Sequence, residues 1–331
     1  MDIVTQALLG ATLAQSVARK TEIKYAAAIG ALAGILADAD IFIQSSTDSL
    51  LTIEFHRHFT HSLLFIPVGA LIATIILWPI FKKWLPVGRI YLYALFGYCM
   101  SGVLDACTSY GTHLLWPFSD ERIAWHIISI VDPLFTLSLL VAVIIAFRRQ
   151  SFNVARIGLG VAFLYMMIGV VQLQRTETIA EELAESRGHQ IERLVVKPTI
   201  GNLILWRSIY QYDGHFYIDA IRVGPGNNKL YPGDTIKQLN FSEIIKFAPK
   251  DSVLYKDIKR FQNFSDGYIA FHPKRDDIVG DVRYAMLPTS VSPLWGIEFD
   301  AQKPEQHAQY NFYRNMSVED RELFKSMLLG E

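Results

Sequence analysis

The sequence predicts an α-helical polytopic membrane bundle, with about six transmembrane helices, followed by an α+β soluble domain. Three observations carry that expectation. The 331 residues are 51% hydrophobic and only 19% charged, against roughly 25% charged in an ordinary soluble domain. The apolar residues are not spread evenly, for six apolar stretches fall within the first 173 residues. From Arg175 onward the composition turns charged and strand-like segments appear. The expected division is therefore a helical membrane domain over 1–174 and a water-soluble domain over 175–331.

The apolar stretches lie at 3–18, 25–43, 62–81, 90–107, 127–147 and 154–173. A helix needs about 20 apolar residues to cross the hydrocarbon layer. Leu63–Phe81, Ile127–Phe147 and Ile157–Leu173 meet that length. The first two stretches are rich in Ala and Gly, as from Ala26 to Gly34. Small side chains let helices approach closely in lipid, which places these two inside the bundle. A short re-entrant or interfacial helix is the alternative for them. The N-terminus lacks a basic leader region, so no cleavable signal peptide is expected.

Loop charge predicts orientation. Arg19, Lys20, Lys24, Lys82, Lys83, Arg89, Arg148, Arg149 and Arg156 occupy alternate loops, nine basic residues in all. The intervening loops, 44–61 and 108–126, hold only Arg57 and Arg122. The basic loops are expected in the cytoplasm, and everything after residue 173 outside the inner membrane.

In the second domain, Thr176–Gly188 reads as a charged helix with Gly188 as its stop, and Glu192–Lys197 as a strand. Leu203–Tyr212 and His215–Val223 flank Asp213-Gly214, a two-residue hairpin signal. The aromatic residues of that hairpin (Trp206, Tyr210, Tyr212, Phe216, Tyr217) are expected in a core. A turn is expected over 224–228, and helices over Phe241–Ala248 and Ser317–Leu329, the last opened by Ser317 and Asp320 as a capping-box variant.

Several function classes are excluded by what the chain lacks. Net charge is −1, so no global basic field attracts nucleic acid. Cys99 and Cys107 are the only cysteines and form neither a disulfide framework nor a CxxC knuckle. There is no GxSxG elbow, no Walker loop and no GxGxxG.

What remains is a concentration of imidazoles and carboxylates. His56, His58 and His61 are three of the nine histidines and lie between two apolar stretches. Asp38 and Asp40 precede them, and Asp105 and Asp132 interrupt later stretches. Ionisable groups at membrane depth are costly and mark function. With the orientation above, all of them fall in one layer near the outer membrane face. The Asp38-x-Asp40 pair cannot share one α-helical face. It fits an unwinding helix end, where both carboxylates turn to one ion or one of them orients a histidine. His and Asp together suit a divalent metal ion, zinc first, with manganese or iron as the other choices. Asp38, Asp40, His56, His61 and Asp105 are the expected ligands, and His58 or Asp132 a further ligand or proton acceptor. Arg57 is expected either to hold a phosphate with its planar fork or to anchor at the headgroups. His113 and His126 are read as rim residues.

These motifs resemble the YdjM family, known as LexA-binding inner-membrane proteins with an inferred metal-dependent hydrolase activity. The family's Pro-Asp-x-Asp step is Ala37-Asp38-Ala39-Asp40 here, and its His-Arg-Gly-Phe-Thr-His-Ser box is His56 to Ser62. Its Ser-His-x-x-x-Asp-x-x-Thr helix is Met100 to Thr108, followed by Leu114-Leu115-Trp116-Pro117. The resemblance covers about residues 1–150 and departs in three places. An early family His falls near Gln6, the Gly of the box is His58, and the His before the helical Asp is Ser101. The expected function is a membrane-bound metal-dependent hydrolase acting on a lipid or lipid-linked phosphoester at the outer face of the inner membrane. A metal or proton transporter, or an assembly or sensor protein with a structural metal, is the alternative.

Overall fold

The computed structural model describes residues 1–224 and 226–331, so one residue of the turn expected over 224–228, Pro225, lies outside the described residues. The chain forms two compact units. The first comprises Met1–Phe42, Phe55–Val171 and Ile200–Leu203; the second comprises Ile43–Glu54, Gln172–Thr199 and Ile204–Glu331.

The helices of the first unit are α1 (Ile3–Ser16), α2 (Ile23–Leu36), α4 (Ile66–Phe81), α5 (Val87–Tyr98), α6 (Ser101–Ala106), α7 (Pro133–Arg149) and the N-terminal half of α8 (Phe152–Ser186); α3 (Leu51–Phe55) lies almost wholly in the second unit. A 3-10 stretch over Ala37–Phe42 continues α2. Among the described residues, four helical segments are long and apolar enough to cross a membrane: Lys20–Phe42, Leu63–Phe81, Val87–Ala106 and Phe152–Ser186. Helices α1 and α7, with 14 and 17 residues, are shorter than those four. Leu71, Ile72, Ile75 and Ile76 of α4, and Val161, Leu164 and Ile168 of α8, are exposed. Such broad apolar faces are the surface a bilayer covers.

Glycine brings the innermost helices together. A Cβ on Gly30 of α2 would strike the carbonyl oxygen of Gly10 in α1, and one on Gly97 of α5 would lie 2.5 Å from the carbonyl oxygen of Gly30. Three backbones therefore meet where a side chain on any of them would hold them apart.

Two expected boundaries are corrected. Helix α7 starts at Pro133 rather than 127. A residue before proline is pushed out of the α region, and Asp132 is extended, its carboxylate capping the amide of Phe135. The residues before it bond instead to the end of α6, as Trp125 N to Ala106 O (2.7 Å) and Ile127 N to Cys107 O (2.9 Å). The sixth apolar stretch and the charged helix after it are one 35-residue helix, α8. No Gly or Pro lies between Gly169 and Gly188 to break it. Gly188, at φ +73°, follows its end.

The second unit holds two antiparallel four-stranded sheets: β1 (Arg193–Pro198), β2 (Leu205–Tyr212), β3 (His215–Arg222) and β4 (Lys229–Lys237), then β5 (Ile269–His272), β6 (Arg275–Asp281), β7 (Trp295–Glu298) and β8 (Gln309–Phe312). Asp213 and Gly214, at φ +47° and +67°, make the tight β2–β3 turn, where positive φ at both residues matches strand twist. Trp206, Tyr210 and Phe216 are fully buried, while Tyr212 and Tyr217 are half-buried. Ile209, Phe216 and Ile218 pack with Tyr268, Ala270 and Val282, joining the sheets in one core. The helices are α9 (Phe241–Ile244), shorter than expected, α10 (Val253–Phe264), and α11 (Val318–Leu329), which carries the Ser317–Asp320 capping box.

Candidate metal centre

The Asp38-x-Asp40 step lies in the 3-10 stretch after α2, where each residue advances about a third of a turn. The two carboxylates therefore diverge, and they take hold of opposite nitrogens of one imidazole. Asp38 Oδ1 is 3.2 Å from His61 Nε2, and Asp40 Oδ2 is 3.2 Å from His61 Nδ1. His61 lies in a 3-10 turn over Phe59–His61, where Thr60 Oγ1 donates to Asp40 Oδ2 (2.7 Å) and Tyr98 OH to the Thr60 carbonyl (2.6 Å). Ser62 then caps the turn leading into α4 by accepting from Phe65 N (3.3 Å).

Asp105, on α6, completes the group. Its Oδ2 is 3.0 Å from His61 Nε2 and accepts from Gln6 Nε2 at 2.9 Å. Its Oδ1 faces the Met1 amino nitrogen and Arg57 Nη2, the latter at 3.3 Å. Helix α6 reaches this close because residue 102 is glycine: a Cβ there would collide with the His61 carbonyl oxygen. His61 and Asp105 side chains are fully buried. Burial opposes charge on His61, but hydrogen bonds to Asp105, Asp38 and Asp40 outweigh it and push its pKa up to about 10.

One ligand atom each from Asp38, His61 and Asp105 lies within 4.8 Å of the others. One imidazole nitrogen and two carboxylates are a donor set for zinc, manganese or iron. Asp40 on the far nitrogen of His61 is the support that metal-ligating histidines commonly have. Gln6 Oε1 is buried with no partner among the described residues. Amide oxygen and nitrogen interchange by a simple flip, so Gln6 can turn that unsatisfied oxygen to a cation beside Asp105. The residues present fit a divalent ion.

The expected ligands thus divide by role. Asp38, His61 and Asp105 come together. Asp40 stands behind His61, and His56 Nδ1 bonds Asp40 Oδ1 at 2.9 Å rather than joining the three. Arg57, expected either to hold a phosphate or to anchor at the headgroups, points inward. Its backbone is at φ +60° and its guanidinium is buried against Asp105, Thr108 Oγ1 (3.1 Å) and the Tyr110 ring. There it balances the Asp105 charge. His58 is not brought into the cluster; its ring packs on His113 with centroids 4.6 Å apart. Burial, with the nearby Arg122 and His58, pushes the His113 pKa down to about 4. Asp132 is not brought in either; beyond capping α7 it accepts from Tyr165 OH at 2.8 Å. Ser101 turns away to the Gly34 carbonyl, 3.2 Å distant.

Sequence reasoning gave no role to Tyr98 and Thr60, and noted Gln6 only as standing where the family has a histidine. Gln6 carried a signal, as a polar residue within the first apolar stretch. Tyr98 carried none. Asp40→Asn should leave Asp38 and Asp105 in place and weaken metal binding by roughly 10- to 100-fold, the usual cost of losing such a support. Zn²⁺ titration of the detergent-solubilised chain against a competing indicator checks it.

The family model of the YdjM inner membrane protein matches residues 1–176, more than half of the chain and all four segments that build the centre. The chain belongs to the YdjM inner membrane protein family. This YdjM-family chain is 26% identical over 227 residues to the uncharacterized protein YfhP of Bacillus subtilis (strain 168), covering 66% of this chain and 67% of that protein. No solved structure matches it.

Proposed function

We propose that this YdjM-family protein is a membrane-embedded metal-dependent hydrolase of a lipid or lipid-linked phosphoester, with Asp38, His61 and Asp105 as the metal ligands and Gln6 beside them. One observation carries this reading: a single buried imidazole held between two carboxylates at one nitrogen and a third at the other. Arg57 answers one of the three carboxylates, and a divalent ion beside His61 would answer the others. A divalent ion held there would polarise a phosphoryl oxygen and lower the pKa of bound water. Asp38 is the most accessible of the three ligands, its side chain 16% exposed, and marks the side from which substrate approaches. Arg57 supplies a counter-charge to Asp105 and holds it in place. A phosphoester is preferred as substrate because a cation offsets phosphate charge, and a lipid because the centre sits at the ends of membrane-length helices.

The test is elemental analysis of the purified full chain in detergent, beside Asp105→Asn, coupled to a screen of phospholipid and polyprenyl phosphoesters. Bound zinc, manganese or iron with turnover in the wild type alone supports the proposal. Bound metal without turnover of any of these esters favours a structural metal, and absence of metal from freshly prepared protein overturns the reading. The second half of the proposal is orientation, with the chain passing several times through the inner membrane and residues after 173 outside. Alkaline phosphatase fused to the C-terminus is expected to be active; an inactive fusion beside an active cytoplasmic reporter reverses the topology.

A further inference from the structure

Within the first unit, α4 and the start of α5 enclose a groove of about 650 Å³, a volume in the range of small-molecule sites. Leu71, Ile75 and Trp78 wall it along α4, and Leu85 and Val87 close it where α5 begins. Positions 71, 74, 75, 78 and 82 have the spacing of one helical face. That face is apolar for two turns and ends in the ammonium of Lys82, the residue that terminates α4. Thr74 adds no polarity to the floor. It is buried, and its hydroxyl donates to the Ala70 carbonyl of its own helix (2.7 Å). Ile75, Trp78 and Val87 are exposed, so the walls lie open along the surface that a bilayer covers.

Charge at this end of the bundle is unbalanced. Segments 19–24 and 82–89 carry six basic residues and one acid, Glu22. Arg89 Nη2 takes that carboxylate at 2.7 Å. Among the described residues no carboxylate pairs with Lys82 or Lys83, and Lys82 Nζ lies 5.1 Å from the centroid of the Trp78 ring. The two segments meet through aromatic rings. Tyr25 stacks on Trp84 with centroids 5.5 Å apart, and Lys24 Nζ is 4.8 Å from the Tyr25 centroid. Tryptophan, tyrosine and lysine gathered at helix ends sit at the headgroup level of a membrane. An ammonium at the mouth of an apolar groove matches a phosphate joined to a hydrocarbon chain. A second copy of this chain fits less well, because a symmetric contact would bring the same lysines together.

We propose that the groove between α4 and α5 holds an acyl chain of one anionic phospholipid, whose phosphate rests on Lys82 and Lys83. Basic pockets between membrane helices bind headgroups of this kind. This lipid is not the substrate of the metal centre. His61 precedes α4 and Lys82 follows it. The 16 helical residues between them advance about 24 Å, so groove and centre lie at opposite ends of α4. The bound lipid pins the α4–α5 hairpin to its leaflet. The inference rests on the family's place in the inner membrane and is independent of the metal reading.

The experiment is native mass spectrometry of the full chain released from detergent micelles that contain equal amounts of phosphatidylglycerol and phosphatidylcholine. The wild type is expected to retain one phosphatidylglycerol in preference to phosphatidylcholine. Lys82→Gln should weaken that retention roughly fivefold, the worth of one cation near an anionic membrane surface, and adding Lys83→Gln should weaken it further. Ile75→Trp fills the groove without changing charge and is expected to release the lipid with both lysines in place. Ile75 and both lysines are exposed, so these variants keep the packing of the bundle. Arg148→Gln with Arg149→Gln removes two exposed cations from the end of α7 and should leave retention as in wild type. Equal losses in that control and in Lys82→Gln would mean diffuse attraction and overturn the proposal. So would undiminished retention in Ile75→Trp, or phosphatidylcholine held as firmly as phosphatidylglycerol. A wild-type dimer that Ile75→Trp converts to monomer, with lipid retention unchanged, would make the groove a contact between copies and overturn it too. Zn²⁺ titration of the same samples reports on the metal centre separately, so either reading can fail alone.

Discussion

Asp105→Asn is expected to cost the protein its metal and a large part of its stability in one substitution. The carboxylate is fully buried and touched by His61 Nε2, Gln6 Nε2, Arg57 Nη2 and the Met1 amino nitrogen. Asparagine keeps the shape and removes the charge. The ion then loses one of two carboxylates, a larger loss than the 10- to 100-fold expected for a supporting residue. Arg57 is left buried without its counter-charge, and breaking a buried pair from one side costs about 3–5 kcal/mol. Elemental analysis should find the metal gone, and tryptophan fluorescence during heating should show a lowered Tm. Asp38→Asn separates the two effects. Asp38 is partly exposed and no arginine contacts it among the interactions described, so metal should be lost with a much smaller change in Tm. Equal loss of Tm in both variants would mean that Asp105 acts only as a structural counter-ion.

The second large effect is expected at a residue with no side chain. Gly102→Ala places a methyl group against the His61 carbonyl oxygen, with the rest of its surroundings set by His61 backbone and Leu114. Backbone cannot rotate aside as a side-chain tip can, so α6 and the 59–61 turn must separate. Overpacking of this kind costs about 1–3 kcal/mol. The more telling consequence is geometric: His61 and Asp105 move apart, and Zn²⁺ affinity falls although no ligand has changed. Ser101→Ala, one residue earlier, removes only a hydrogen bond to Gly34 and should bind Zn²⁺ nearly as wild type does. Titration of the two variants side by side decides this.

The difference between these predictions mirrors what could be read without coordinates. Carboxylates and imidazoles in apolar surroundings announce themselves, because their burial is costly unless they are paired. A glycine in an apolar helix announces nothing, since the same residue serves close packing, a kink or no purpose at all. Arg57 shows the limit from the other side. Its charge and its place in the His box were legible, but the positive φ that turns it inward to Asp105 was not. Helix α7 was drawn too long because hydropathy counts residues 127–132 as apolar, whereas Pro133 holds Asp132 out of the α region and Ile127 and Ile128 bond to Cys107 at the end of α6. In the second unit the Asp213-Gly214 hairpin and the Ser317 capping box were local signals and were found. Strands β5–β8 are short, pair through mixed polar residues and gave no period to follow.

By itself, then, the amino-acid order determined that apolar helices come first and a strand-rich region second, and that Asp38, Asp40, His61 and Asp105 need a common explanation. Periodicity, length and the cost of burying charge act along the chain, and they are visible in it. Only the tertiary structure decided which carboxylate faces which imidazole nitrogen, that His56 serves Asp40, that His58 and Asp132 lie elsewhere, and that segment 43–54 belongs to the second unit. Those outcomes depend on where distant backbones touch, and contact between distant backbones is set by packing in three dimensions rather than by any local pattern.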